Sequence, residues 1–300
     1  MKKSIVICVM IVLFSAGYAR AVWITLDMPG AGSTQIYGID GSNIVGYYEI
    51  ASRDRYGFLY NGTTWTTLVA PEARITPAET WAFGIDAGNI VGFYYPVNGD
   101  MHGFLYNGTT WTTLVAPGAY RTIAKDIDGG NIVGTCFDAT GRHGFLYDGT
   151  TWTTFNMPGA KDTDTCGIDG GSIVGYYYSG SGSEDWHGFL YDGTIWTTLD
   201  MPGAYSTFAN GIDGGNIVGS YISGGCFHGF LYDGTTWTTL DYPGATSTQA
   251  LGIYGSNLVG YYSDSAGDHG FLYTIPEPAT LFLLGLGAVM AGRRRLTKRN

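Results

Sequence analysis

Short apolar segments separated by polar turns run through most of the chain. The segments Gly57–Tyr60 and Trp65–Leu68 are examples, each bounded by Gly, Pro, Asn or Asp. Segments of about four to seven residues that are rich in Val, Ile, Tyr, Phe, Trp and Thr predict β-strands, since helices need longer runs. Pairs such as Asn61-Gly62 and Asp233-Gly234 predict hairpins with type I′ turns, which require positive φ.

These segments recur in a fixed order of four, six times along the chain. A Gly-Ile-Asp segment precedes an Ile-Val-Gly segment, then Gly-Phe-Leu-Tyr, then Trp-Thr-Thr-Leu, and successive Gly-Phe-Leu-Tyr segments are spaced by 46, 41, 44, 41 and 41 residues. Four antiparallel strands in each repeat of this length are typical of a propeller blade. The sequence therefore predicts an all-β fold, a six-bladed β-propeller of four-stranded antiparallel blades. The Trp residues at the repeated position are Trp23, Trp65, Trp111, Trp152, Trp196 and Trp237.

The order of the segments also predicts how the ring closes. The sixth copy ends at Tyr273 without its Trp strand, whereas the chain's first strand-like segment, Val22–Leu26, is a Trp strand. Pairing the two removes two exposed strand edges, so we expect the N-terminal strand to complete the last blade. A β-solenoid is the alternative architecture, although solenoid coils usually repeat at shorter periods and need caps.

The repeat resembles two known types. A paired-Gly strand, a Tyr-Asp turn and a Trp strand are similar to the blades of kelch propellers. The His-Gly-Phe core, as in His143-Gly144-Phe145, resembles more closely the extracellular HAF repeat, named for His-Ala-Phe. The resemblance is partial in sequence but covers residues 22–273.

The N-terminus predicts export. Lys2 and Lys3 precede an unbroken apolar run from Ile5 to Phe14, and Ala19-Arg20-Ala21 is a small-x-small cleavage site. This arrangement is typical of a secretory signal peptide over residues 1–21, with Ala19 and Ala21 at the cleavage site and the Sec machinery as partner. An uncleaved anchor is the alternative, but ten apolar residues are too short for about 30 Å of hydrocarbon.

The C-terminal segment, residues 274–300, has three parts in order. The tripeptide Pro276-Glu277-Pro278 is followed by an apolar stretch to Gly292 and then by Arg293, Arg294 and Arg295. This resembles the PEP-CTERM sorting signal of Gram-negative bacteria. The resemblance implies a precursor held in the inner membrane by the apolar helix and processed by an exosortase, with an association with exopolysaccharide and biofilm. The Arg cluster independently fits a cytoplasmic end, and a simple C-terminal anchor is the alternative.

Composition and charge exclude several classes. With 48 Gly among 300 residues, 15% aromatic and 13% charged residues, the chain is neither disordered nor helical, and its Gly lacks the period of collagen. The formal charge is −10, but residues 21–292 contain only 7 Lys and Arg against all 25 Asp and Glu of the chain, a net −18. Nucleic-acid binding is therefore not expected.

All five His residues occupy one repeat position, and a repeated residue favours structure over catalysis, where a His is normally unique. We expect a His-Asp hydrogen bond between adjacent strands, with the Asp of each Gly-Ile-Asp segment as partner. The Trp residues are interpreted as packing residues between blades. The His are His102, His143, His187, His228 and His269, and the Asp are Asp40, Asp86, Asp128, Asp169 and Asp213.

Repeated aromatic residues also permit a lectin hypothesis. Some six-bladed propellers bind sugars between blades, and Tyr48, Tyr177 and Tyr262 are the candidate ligand-binding residues. The alternative is that the same rings fill the core between blades. An enzyme acting on polysaccharide is the less favoured class, since no pair of unrepeated acids and no Ser-His-Asp, phosphate-loop or zinc pattern stands out. Unrepeated acids converging on the central channel would favour the enzyme.

Metal and disulfide sites are weakly indicated. No cofactor or metal is predicted, although calcium is conceivable at Asp264–Asp268 or Glu184-Asp185, which match no known loop spacing. A Cys136–Cys166 disulfide is conceivable in an oxidising compartment and leaves Cys226 unpaired.

Together these features predict an exported, exosortase-processed, non-enzymatic propeller that is a structural or binding component of the cell surface or extracellular matrix. A lectin-like carbohydrate-binding propeller is the alternative. Binding specificity is expected in the variable loops that follow Tyr48, Tyr95 and Tyr178, and in the Pro71–Thr80 insertion.

Overall fold

The repeated segments form twenty-four β-strands in the computed structural model, which describes residues 22–74, 79–97, 99–180 and 185–276. Within these residues every regular element is a strand. The strands of blades 1 to 3 are β2 (Ser33–Asp40), β3 (Asn43–Glu49), β4 (Arg55–Tyr60), β5 (Trp65–Leu68), β6 (Thr80–Asp86), β7 (Asn89–Tyr94), β8 (His102–Tyr106), β9 (Trp111–Leu114), β10 (Arg121–Asp128), β11 (Asn131–Asp138), β12 (Gly141–Tyr147) and β13 (Trp152–Thr154). Those of blades 4 to 6 are β14 (Asp162–Asp169), β15 (Ser172–Tyr178), β16 (Trp186–Tyr191), β17 (Trp196–Leu199), β18 (Ser206–Asp213), β19 (Asn216–Ser223), β20 (Cys226–Tyr232), β21 (Trp237–Leu240), β22 (Ser247–Tyr254), β23 (Asn257–Ser263), β24 (Asp268–Thr274) and β1 (Val22–Thr25).

Each blade is an antiparallel meander of four strands, and the six blades surround a central channel. In five blades the four strands are consecutive, whereas the sixth has the order β1-β24-β23-β22. Just beyond β1, the Leu26 N–H donates to the Gly270 carbonyl oxygen at 2.8 Å, which extends this pairing. The all-β, six-bladed propeller and its closure by the N-terminal strand are therefore confirmed.

The Gly that ends each Ile-Val-Gly segment is required by close packing inside the blade. At Gly46, an added Cβ would overlap the Gln35 carbonyl oxygen and lie 2.9 Å from Phe58 Cζ. The Phe ring beneath this Gly is at most 2% exposed in all six blades. The second strand of each blade therefore has no side chain at this position. The large buried Phe ring of the third strand fills the space, as dense packing requires.

The outer-strand Trp rings close the other side of each blade. Each Trp packs against the Phe and Tyr of its neighbouring Gly-Phe-Leu-Tyr strand. In blade 5, for example, the Trp237 ring centroid lies 4.9 Å from that of Phe230 and 4.5 Å from that of Tyr232. All six Trp residues are half-buried in this arrangement.

The type I′ turns lie at a different hairpin from the one predicted. After Gly-Phe-Leu-Tyr the loop has four residues, and only its Gly has positive φ, as at Gly234 (φ 91°). The Asp233 carboxylate closes this loop by accepting the N–H groups of Thr235 and Thr236 at 2.9 and 2.7 Å. In blades 2 to 5, two consecutive residues of positive φ occur instead between the two inner strands, as at Gly214 and Gly215 (φ 54° and 84°). The predicted hairpins are therefore confirmed, but their predicted turn type was wrong because an Asx side chain can replace backbone geometry in closing a turn.

A bulge in every innermost strand builds the channel wall. The register between the first two strands shifts at one residue per blade, which lies just before the Gly of Gly-Ile-Asp. The extra residue is left out of the ladder, as in other β-bulges. These bulged residues differ from blade to blade and line the channel: Tyr37, Phe83, Lys125, Cys166, Asn210 and Leu251.

The meander places two kinds of loop on opposite faces of the disc. The turns between the two inner strands and between the two outer strands lie on one face, named here the turn face. The middle hairpins and the links between blades lie on the other, named here the link face. The unequal loops after Tyr48, Tyr95 and Tyr178 therefore share the link face. Within the described residues, no helix is long and apolar enough to span a membrane.

Candidate functional site

The repeated His residues have partners other than the predicted ones. The Nδ1–H of His187 donates to the Asp200 carboxylate at 3.0 Å, and that of His228 to Asp241 at 3.0 Å. His269 binds Asp27 at 2.8 Å. The Asp lies directly after the Trp-Thr-Thr-Leu segment of the same blade, so the predicted pairing with the Gly-Ile-Asp carboxylates was wrong. The register of the two outermost strands, which brings their link-face ends together, decides the partner.

The remaining blades vary the same pair. In blade 3, Asn156 Nδ2 donates to His143 Nδ1 at 2.9 Å, while the Asn156 Oδ1 accepts the Gly144 N–H at 3.1 Å. In blade 2 the corresponding residue is Val115, and His102 Nδ1 is buried without a hydrogen-bond partner among the described residues. The sequence signal for this pairing is the Asp or Asn that lies 13 residues after the His in blades 3 to 5.

Neighbouring charge alters the titration of one of these His residues. The pKa of His269 is raised above its usual value, chiefly because the Asp27 carboxylate accepts its hydrogen bond. Asp264 lies on the other side of the ring, 3.4 Å from Nε2. Protonated His269 is therefore flanked by two carboxylates on the link face.

The Gly-Ile-Asp carboxylates link adjacent blades on the turn face. In each case Oδ2 accepts a backbone N–H from the inner turn of the next blade. The sixth copy carries Tyr254 at this position, which leaves blade 6 without such a carboxylate toward blade 1. The five links are Asp40 to Ala87 (3.0 Å), Asp86 to Gly129 (3.0 Å), Asp128 to Gly170 (2.9 Å), Asp169 to Gly214 (2.8 Å) and Asp213 to Gly255 (2.9 Å).

The candidate Tyr residues lie in side grooves between blades rather than on the open surface. Tyr48 and Tyr262 are 9% and 7% exposed, and Tyr177 is half-buried. The Tyr177 ring lies 5.3 Å from the His187 ring, and its hydroxyl is 3.1 Å from Thr198 Oγ1. Tyr177 and Tyr262 are therefore held by a Tyr-His-Thr arrangement, whereas Tyr48 packs against Tyr56 in place of a His. All three offer a ligand little of their ring faces.

Two side grooves nevertheless contain a pocket. The groove between blades 1 and 2 encloses about 220 Å³ beside Ala70, Glu72, Tyr94 and Trp111. Glu72 Oε2 accepts the Tyr94 hydroxyl at 2.8 Å, which leaves the carboxylate further acceptor capacity.

The groove between blades 2 and 3 encloses about 290 Å³ beside Ala116, Cys136, His143, Trp152 and Asn156. Cys136 replaces the Tyr found at this position in the other blades. Asp138 and Thr140 complete the polar side of the pocket.

The central channel holds a third cavity, of about 250 Å³, lined both by repeated Gly and Ile residues of the Gly-Ile-Asp segments and by the bulged residues that differ between blades. Asp126 stands where the other five blades have Gly, and its Oδ2 accepts the Ile168 N–H at 2.9 Å. Burial of this carboxyl away from water raises the pKa of Asp126 to about 7. A carboxyl that titrates near neutrality in a cavity has the property of catalytic acids and bases.

A second buried carboxylate near the channel is neutralised. Asp164 is fully buried and lies between Lys125 Nζ, at 2.9 Å, and the Arg142 guanidinium. Thr135 Oγ1 also donates to it. Among the described residues that line the channel cavity, Asp126 is the one acid, and Asp164 is committed to an ion-pair network with Lys125 and Arg142.

A fourth cavity lies on the link face between blades 4 and 5. It has a volume of about 630 Å³ and is bordered by Tyr178, Trp186 and Tyr205, together with Lys161 and Asp162. The Lys161 ammonium lies 5.6 Å from the Tyr178 ring centroid. Unlike the two side-groove pockets, this cavity includes a cation.

The metal and disulfide candidates have other roles in the structure. Asp264 accepts the Ala266 N–H at 2.7 Å, and Asp268 accepts hydrogen bonds from Gln35 and Ser263. No group of three His, Cys, Asp or Glu side chains in residues 22–74, 79–97, 99–180 and 185–276 is arranged to hold a metal. Glu184 lies outside the described residues.

All three Cys residues of the propeller are free thiols, so the conceived Cys136–Cys166 bridge is absent. Cys136 lines a side groove whereas Cys166 lines the channel, and burial raises the Cys136 thiol pKa to about 11.

The predicted sorting residues fall almost entirely outside the described part of the chain. Ala19 and Ala21 lie outside it, as do Glu277, Pro278, Arg293, Arg294 and Arg295, while Pro276 is described. Comparison with protein families nevertheless finds the PEP-CTERM protein-sorting motif over residues 274–295. The chain therefore carries this motif at its C-terminus.

Solved structures share the propeller fold. A lectin of Aleuria aurantia in complex with α-methyl-L-fucoside is 15% identical, with a TM-score of 0.51 over 85% of this chain and 97% of that chain. TolB from Acinetobacter baumannii is 13% identical, with a TM-score of 0.54 over 79% of this chain and 65% of that chain. An acylaminoacyl peptidase from Pyrococcus horikoshii is 13% identical, with a TM-score of 0.51 over 82% and 44%. No curated protein sequence matches the chain significantly.

Proposed function

We propose that the chain is exported by a Gram-negative bacterium, processed by an exosortase, and acts at the cell surface or in the extracellular matrix as a carbohydrate-binding propeller. In this proposal residues 1–21 are the signal peptide, residues 22–273 the propeller and residues 274–300 the sorting segment. The PEP-CTERM motif supports the route, with the inner membrane holding the precursor through the C-terminal apolar stretch. The acidic body favours solubility after export.

One observation carries the binding function: two pockets in the side grooves combine a Trp edge with converging polar side chains. Trp111 borders one pocket together with Glu72, and Trp152 borders the other with His143 and Asn156. Aromatic rings with a few placed polar groups are typical of small-ligand sites. Sugars present C–H groups to rings and hydroxyls to polar groups, so they match such pockets. The Aleuria aurantia lectin in complex with α-methyl-L-fucoside has the same fold, which supports this use of a propeller by analogy.

The partner proposed for this function is exopolysaccharide. The test is a pull-down of the producing organism's own exopolysaccharide by the purified full chain, together with a glycan array. Retention of polysaccharide without release of sugars supports the proposal. Absence of binding to polysaccharide and to the array at high protein concentration would overturn it.

A polysaccharide-acting enzyme is the second candidate, favoured by Asp126. Its carboxyl lines the channel cavity and has a pKa of about 7. Neutralisation of the neighbouring Asp164 by Lys125 and Arg142 argues against a working pair of acids. Sugar release by the wild-type chain that is lost in Asp126→Asn would decide for the enzyme.

A further inference from the structure

One residue in each link between blades faces the side groove of the following blade. This residue, named here the plug residue, is the second after the Trp-Thr-Thr-Leu segment. Its backbone is held in the same way in all six links, because its N–H donates to a Thr of the next inner strand at 2.9–3.2 Å. The links therefore differ mainly in the plug side chain. The six plug residues are Met28, Ala70, Ala116, Met157, Met201 and Tyr242.

Three of the four large plug residues pack into their grooves. The Tyr242 ring stacks on Tyr262 with centroids 3.7 Å apart and planes 8° apart. Met28 packs against the core of blade 1, which includes Tyr48, and Met157 packs against the corresponding core of blade 4. These side chains occupy the space beside the groove Tyr that a ligand would need.

The two Ala plugs coincide with the two side-groove pockets. Ala70 and Ala116 are 2% and 5% exposed, and each lines one of the pockets of about 220 and 290 Å³. In the second groove Cys136 also replaces the larger Tyr, which accounts for its larger volume. The pockets are therefore built by small side chains at positions where the repeat elsewhere has large ones.

We propose that these two grooves are binding sites for single neutral sugar residues, and that the plug residue closes the other four grooves. This inference rests on the proposed carbohydrate-binding function and names its sites and ligand class. Volumes below the usual range of about 300–1,000 Å³ for small-molecule pockets fit one sugar residue rather than a longer segment. A site in each of two adjacent grooves lets one propeller hold two polysaccharide branches.

Charge selects the ligand class. One pocket includes the Glu72 carboxylate and the other includes Asp138, and no Lys or Arg lines either pocket. A sugar carboxylate would meet a like charge without a compensating cation, whereas hydroxyl groups donate well to carboxylates. Uronic acids are therefore excluded, and neutral hexoses or deoxyhexoses are favoured.

The test measures binding to the purified full chain by isothermal titration calorimetry. The probes are methyl glycosides of glucose, galactose, mannose, rhamnose and fucose, and the methyl glycoside of glucuronic acid. We expect at least one neutral glycoside to bind at two sites per chain and the glucuronide to show no binding. Ala70→Met and Ala116→Met are each expected to remove one site, and the double variant is expected to weaken binding at least tenfold. Because Met already occupies this position in three links, these variants should fold, which an unchanged melting temperature verifies.

A matched control is Ala51→Met, which adds the same side chain at an exposed position that lines neither pocket. It should bind as the wild type does. If the wild type binds a neutral glycoside and the double variant binds equally well, the site assignment is overturned while the proposed function stands. Preference for the glucuronide would overturn the ligand class and point to the Lys161 cavity. If the wild type retains neither glycosides nor polysaccharide, both proposals fail.

Discussion

The carboxylate links on the turn face predict how much each blade contact contributes to stability. Asp213 Oδ2 accepts the Gly255 N–H at 2.9 Å, and a hydrogen bond to a charged group contributes about 1.5–3 kcal/mol. This link is accessible to water, which satisfies part of the freed N–H after mutation. We therefore expect Asp213→Ala to lower the free energy of unfolding by about 1.5 kcal/mol, at the lower end of the range for such bonds.

The missing sixth link supplies the converse experiment. Tyr254 is 45% exposed, and the turn it should face has Gly41 at φ 59°, close to the φ 56° of Gly255 in a linked turn. Tyr254→Asp should therefore form a bond to the Gly41 N–H and exceed Tyr254→Ala in stability by about 1 kcal/mol.

The assay is chemical denaturation followed by Trp fluorescence, with thermal melting as a second probe. A difference of 1 kcal/mol corresponds to roughly 2–4 °C in melting temperature for a chain of this size. Measurement in high salt screens the repulsion that a further acid adds to an acidic body. Equal stability of Tyr254→Asp and Tyr254→Ala, together with no loss in Asp213→Ala, would refute the reasoning.

Further predictions address strain, titration and thiol reactivity. Ala87 has φ 47° where five related turns have Gly, so Ala87→Gly should raise the free energy of unfolding by about 1 kcal/mol, measured by denaturation. The raised Asp126 pKa means that the folded state binds its proton more tightly than the unfolded state, so stability should fall as pH rises from about 4 to 7, and Asp126→Asn should flatten that profile. The pKa of His269 is raised by its hydrogen bond to Asp27 rather than by burial, but stability again falls as pH rises. The stabilisation from protonated His269 is complete below about pH 6.5 and is lost as pH rises through the pKa of the folded state. Asp27→Asn should lower that pKa in an NMR titration. Exposed Cys226 should react with a maleimide in the native state before the two buried thiols do.

The architecture was predictable because the same pattern of four strand-like segments recurs six times in the sequence. Short strand lengths, turn residues and a constant order of four segments determine a meander, and an unpaired Trp strand at Val22–Leu26 determines the closure. The turn with two residues of positive φ was misplaced because the inner and outer hairpins of each blade both contain Gly, and only the structure distinguishes the loop that Asp233 closes.

The side-chain partners were less predictable because they depend on register. Sequence order places the Gly-Ile-Asp carboxylates and the His in one repeat, yet the meander puts the former on the turn face and the latter on the link face. The correct signal was present in the sequence as the Asp that follows the outer strand in blades 4 to 6, for example Asp241 with His228. Recognising this signal requires knowing that the third and fourth strands of each blade have adjacent ends on the link face.

The candidate sites were not predicted for a related reason. The repeat pattern identifies the positions that are constant between blades, whereas the pockets lie at positions that differ. The fold needs the Phe beneath Gly46 and its equivalents in every blade, so these positions cannot specialise. The plug position has a backbone fixed by a Thr hydroxyl and a side chain free to vary, and the bulged channel position is likewise outside the strand ladder. Departures from the repeat at plug and bulged positions, such as Ala116 and Lys125, therefore cost the scaffold little, and they lie where pockets form. In a propeller of near-identical blades, function is best sought at such exceptions.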